Sequence, residues 1–79
     1  MDARRVIHRI RELGGVPVRK RGSHLRFDVT YVEVTEDGER ITRTAHTTVQ
    51  QHGAKDIPAG TLHQIQKDLE PAFTKGWLL

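Results

Sequence analysis

The chain has no cysteine, and among its 79 residues only one methionine, one tryptophan, one tyrosine and two phenylalanines. Without thiols, disulfides and thiolate metal sites are excluded, which fits a cytoplasmic protein. So short a chain has room for one domain, residues 1–79, and one modest core. No stretch approaches the roughly 18 apolar residues of a membrane span. The opening Met1-Asp2-Ala3-Arg4-Arg5-Val6 lacks the signal-peptide apolar block of about 7 to 15 residues. Internal repeats, low-complexity tracts, a Gly-rich nucleotide loop and a His-x-x-x-His helix motif are missing too. The five histidines are scattered without a close ligand pair, so metal catalysis is disfavoured and no cofactor is expected.

What the chain does have is a lopsided charge. Residues 1–26 carry eight basic side chains (Arg4, Arg5, Arg9, Arg11, Arg19, Lys20, Arg21 and Arg26) against Asp2 and Glu12. The rest of the chain holds five basic against eight acidic residues. A positive N-terminal third suits an anionic partner, with nucleic acid first and an acidic protein surface second.

The pattern of apolar residues orders the elements. Asp2 to Leu13 reads as an amphipathic helix, with Ala3, Val6, Ile7, Ile10 and Leu13 on one face and Gly14-Gly15 as its stop. His8 falls on the solvated side of this helix. Val16 to Arg19 looks like a short strand, with Pro17 marking an edge. A second strand runs from His24 to about Thr35, in which Leu25, Phe27, Val29 and Tyr31 alternate with His24, Arg26, Asp28 and Thr30. Glu36-Asp37-Gly38-Glu39 is a hairpin signal, and a third strand follows from Arg40 to Val49. A three-residue loop with Glu36 opposite Arg40 would pair Phe27 with Val49 and Tyr31 with Ala45. It would also bring His52 opposite His24. A second helix begins near Ile57-Pro58-Ala59-Gly60, with capping-box spacing between Thr61 and Gln64, and ends at Glu70-Pro71. The apolar tail around Trp77 is expected to pack on the domain, with partner contact as the lesser alternative. Helix, three strands, helix is an α+β order. Its economical form is a three-stranded antiparallel sheet with both helices on one face, the order of the double-stranded-RNA-binding fold.

Chemistry concentrates in Lys20-Arg21-Gly22-Ser23-His24, where a glycine turn delivers a histidine to the start of a strand beside fixed positive charges. Imidazole titrates near neutrality, with a reference pKa of about 6.5, so one side chain can both take and give a proton. Arg19, Lys20, Arg21 and Arg26 are candidate phosphate ligands, and the Gly22 and Ser23 amides are candidate donors to a phosphate oxygen. RNA brings its own nucleophile, the 2′-hydroxyl. Ser23 is a poor nucleophile candidate, because neighbours in an extended segment point to opposite faces. His46 and His52 are the candidates for a second proton carrier, though structural or solvated roles are favoured for both. A plain basic turn with a solvated histidine is the competing account of the same five residues.

Two blocks in order give the chain a family likeness. The first is the helix ending Leu13-Gly14-Gly15, then Val16 to Arg19 and Gly22-Ser23-His24. The second is Val49-Gln50-Gln51-His52-Gly53 followed by Lys55-Asp56-Ile57-Pro58-Ala59-Gly60-Thr61-Leu62. Together they resemble HicA-type toxins, the ribonuclease partners of HicB-type antitoxins. The resemblance implies a double-stranded-RNA-binding-like fold, metal-independent cleavage of mRNA, and inhibition by a cognate HicB-like antitoxin. It assigns catalysis to His24. Gln50-Gln51 stand where the family commonly has a proline before its second histidine, which weakens any role for His52. A noncatalytic RNA-binding module and a purely protein-binding regulatory domain are the alternatives from other classes.

Overall fold

The computed structural model describes residues 1–51 and 53–79. Its elements run α1 (Ala3–Glu12), β1 (Val16–Arg21), β2 (His24–Val34), β3 (Arg40–Gln50) and α2 (Ala59–Leu69). Local chemistry sets the limits of α1. The Asp2 carboxylate accepts the Arg5 amide at 3.0 Å, capping the first turn. At the other end the Gly14 amide donates to the Arg11 carbonyl at 3.0 Å and the Gly15 amide to the Ile10 carbonyl at 2.8 Å. That is a Schellman stop, with Gly14 at φ +96°. A β-carbon on Gly15 would lie 2.3 Å from Cγ2 of Ile10, so a side chain here would prop the strand away from the helix.

The sheet is antiparallel in the order β1-β2-β3. β1 runs two residues further than the pattern suggested, to Arg21, and a two-residue Gly22-Ser23 turn joins it to β2. Gly22 takes φ +54° while Ser23 does not have positive φ, the combination a type II′ hairpin turn needs. Between Pro17 and Arg19 the β1–β2 register shifts, leaving Val18 as an extra residue in a bulge.

The β2–β3 register differs from the expected one by two residues. Leu25 faces Val49, Phe27 faces Thr47, Val29 faces Ala45 and Tyr31 faces Arg43. Turn chemistry decides this. The loop has three residues as expected, but they are Glu36-Asp37-Gly38, with Thr35 rather than Glu36 at its base. The Thr35 amide donates to the Glu39 carbonyl at 2.9 Å, and the Thr35 hydroxyl oxygen accepts the Glu39 amide at 3.1 Å. Gly38, at φ +82°, then takes the last loop position, where a left-handed residue is required. The expected register would have put Glu39 there. Because the difference is an even number, every side chain keeps its predicted face. It does, however, set Gln50 and not His52 opposite His24. His52 itself lies outside the described residues.

Both helices cover the face carrying Phe27, Val29, Ala45, Thr47 and Val49. Val6, Ile10, Phe27, Val49, Ile65 and Leu69 are fully buried between the layers. Thr47, the buried polar residue among them, donates its hydroxyl to Asp68 Oδ2 at 2.9 Å. Thr61 does not cap α2. Pro58 is the N-cap without a side-chain bond, Thr61 sits inside the first turn, and Gln64 donates to Asp68 at 2.8 Å. The tail packs on the domain. Trp77 is buried, its indole N–H donates to the Gln66 carbonyl at 2.7 Å, and Arg9 Nε donates to the Trp77 carbonyl at 3.0 Å. Beyond Tyr31 and Arg43 the β2–β3 hairpin outruns the helices, giving a body of 46 × 24 × 19 Å, and Val32 and Val34 are exposed on the face that carries His24.

Candidate RNA-cleaving face

Residues directly opposite one another in an antiparallel sheet share a face. On the side away from the helices, one row is Arg21, His24 and Gln50, and the next is Arg19, Arg26 and Thr48. Asp28 and His46 follow in a third row. An open depression of about 320 Å³ is lined by Arg19, Arg21, His24, Arg26 and Thr48. The fold thus brings one imidazole together with three guanidiniums, all on strands rather than on loops. His24 is exposed, at the first position of β2 immediately after the turn.

Lys20 is not part of this group. It pairs with Leu25 and so projects towards the helix side of the sheet. The Val18 bulge accounts for the exchange. Without the extra residue's phase shift, the Pro17–Phe27 pairing would continue so that Lys20, not Arg21, stood opposite His24. Gly22 and Ser23 form the turn, and the Ser23 carbonyl accepts the Gln51 amide at 2.7 Å. His46 shares the face but pairs with Asp28, four residues along β2 from His24 and thus about 13 Å away. His46 does not line the depression that holds His24. His8 is exposed on α1, as its position in the sequence suggested, and His63 is exposed on α2.

Three members of this face, Asp28, Thr48 and Gln50, were not singled out in the sequence. Asp28 Oδ1 accepts from Arg26 Nε at 3.0 Å, which ties that guanidinium to the sheet. Strand parity alone would have found Asp28, but Thr48 and Gln50 needed the β3 register. Arg43 is engaged elsewhere. Its hydrogen bond to Glu33 raises its pKa above the ordinary arginine value, and both sit on the helix-side parity of the projecting hairpin. A larger groove of about 660 Å³ along α1 is lined by Arg4, Arg5, His8 and Arg9 among others. There His8 leans toward Glu12 at 3.8 Å and Arg9 is committed to the tail. Among the described residues no three His, Cys, Asp or Glu side chains converge as metal ligands. No helix among them is long and apolar enough to cross a membrane.

A three-stranded antiparallel sheet with both helices on one face, in the order α-β-β-β-α, has the double-stranded-RNA-binding-like architecture. The model of the family described as HicA toxin of bacterial toxin-antitoxin matches residues 3–70. That span runs from the first residue of α1 to just past α2, and the chain belongs to the HicA toxin family. It is the toxin of a toxin–antitoxin pair. No curated protein and no solved structure gives a significant match to the chain.

Proposed function

We propose that this toxin is a metal-independent endoribonuclease that cleaves mRNA in the cytoplasm with His24 as general acid/base. The observation that carries the reading is the grouping of His24 with Arg19, Arg21 and Arg26 in one open depression. Cleavage starts when the 2′-oxygen attacks the adjacent phosphorus and His24 accepts its proton. The crowded phosphorane gains negative charge, which the guanidiniums stabilise. The P–O5′ bond then breaks, and the leaving oxygen takes a proton from the imidazolium or from water. The products are a 2′,3′-cyclic phosphate and a free 5′-hydroxyl. Positioned proton transfer contributes roughly 10² to 10⁴-fold. A lone imidazole gives a modest enzyme, which suffices for arresting growth.

The test is incubation of wild-type, His24→Ala and His24→Gln proteins with mRNA in EDTA. Wild type should cut, and both variants should fold but not cut. Full cleavage by folded His24→Ala protein would remove His24 from the mechanism. One observation favours a second reading, a noncatalytic RNA-binding module. Among the described residues, no second imidazole or carboxylate lines the depression beside His24. Under that reading wild type binds RNA without cutting it.

The antitoxin in this proposal is HicB-like and silences the toxin by covering the His24 face. An acidic surface would dock quickly on the three arginines and exclude RNA. Trp77 is not its anchor, because the indole is already buried in the toxin's own core.

A further inference from the structure

We infer that Asp28 is a positioning residue, holding the Arg26 guanidinium so that its terminal nitrogens meet the phosphate cleaved at His24. The inference rests on the reading that RNA is cleaved at this face. Arg26 stands directly opposite Arg19, and Arg21 stands directly opposite His24, so three like charges crowd neighbouring sites. Like charges placed opposite one another repel. Left alone, the long Arg26 side chain would swing out into water. Asp28, two residues on along the same face, accepts Nε at 3.0 Å, and both side chains are 36% exposed. With Nε engaged, the terminal nitrogens keep their donors for two-point contact with a phosphate.

An ion pair this exposed adds little to stability. A carboxylate beside a phosphate-binding face also weakens attraction for RNA. If Asp28 were only a surface charge, its removal would tighten RNA binding and leave turnover alone. If it positions Arg26, turnover falls while binding holds or improves. The two roles therefore part on kcat and not on affinity.

The experiment compares wild type, Asp28→Ala, Asp28→Glu, Arg26→Ala and the Arg26→Ala/Asp28→Ala double variant. Cleavage is measured on an RNA oligonucleotide, and affinity on its all-2′-deoxy analogue, which lacks the nucleophile. Asp28→Ala should lower kcat about tenfold to a hundredfold, the worth of one charge-assisted hydrogen bond. Its Kd for the analogue should stay level or fall. Asp28→Glu should recover part of the turnover, and the double variant should be no slower than Arg26→Ala. Unchanged kcat in Asp28→Ala, or losses that simply multiply in the double variant, would overturn the inference. The NMR signal of the Arg26 Nε–H supplies a readout that needs no cleavage. It should persist in wild type and vanish by exchange in Asp28→Ala. An equally persistent signal in Asp28→Ala defeats the positioning role, whereas a wild type that cuts no RNA defeats the ribonuclease reading.

Discussion

The two faces of the sheet are built from alternate residues of the same strands, yet they answer to different physics. The helix-covered face carries Phe27, Val29, Ala45, Thr47 and Val49, and its contents are set by burial. The open face carries Arg19, Arg21, His24, Arg26 and Thr48, and among the described residues neither helix packs on it. Removing a side chain from the first should cost folding. Removing one from the second should cost function and leave the fold alone. On the proposed reading, the alternation of the pleat lets a very small domain keep its chemistry apart from its stability.

The largest effects should come from the pair that breaks this division most directly. His24→Ala is expected to lower RNA cleavage by about 10² to 10⁴-fold, while stability in urea stays within about 0.5 kcal/mol of wild type. Phe27→Ala should do the reverse, costing about 3 to 5 kcal/mol of stability, enough to unfold a marginal domain at physiological temperature. A His24→Ala protein that melts like Phe27→Ala would show that the faces are not independent. Next comes a contrast between sequence neighbours. Arg19→Ala should lower the log–log salt slope of RNA binding by about 0.7, whereas Lys20→Ala, on the other face, should leave it unchanged. Equal slopes for the two would mean that the bulge does not sort them. Thr47→Val removes the hydroxyl that bonds Asp68 and should cost about 1 kcal/mol in a denaturant titration. Smallest of all, Thr61→Ala should shift stability by no more than about 0.5 kcal/mol, because Thr61 caps nothing.

Sequence periodicity was sufficient for the order of elements, the buried residues of β2 and the stop at Gly14-Gly15, because each is a local consequence of residue type. The place of His24 at the start of β2 was legible for the same reason, since it directly follows a glycine turn. What could not be read were quantities fixed across strands. Apolar matching favoured Phe27 against Val49, but the need for Gly38 at a left-handed position selected Phe27 against Thr47. Nothing in Val16-Pro17-Val18-Arg19 announces a bulge. One extra residue there decided that Arg19, and not Lys20, stands with His24. Thr61 and Gln64 had the spacing of a cap, but the helix starts two residues ahead of Thr61, at Ala59. Strand parity is robust to even slips and defenceless against a bulge.

The clasp around Trp77 makes the protein its own optical instrument. The single indole lies in an apolar environment on the far side of the sheet from His24, bonded to the Gln66 carbonyl and edge-on to Phe73 with ring centres 5.1 Å apart. Its emission should move to the red when the core opens, and it should stay silent when RNA occupies the open face. A colour change on adding a protein partner would therefore signal that the partner reaches the helical side or loosens the core. A partner that caps only the arginine face would leave the light as it was.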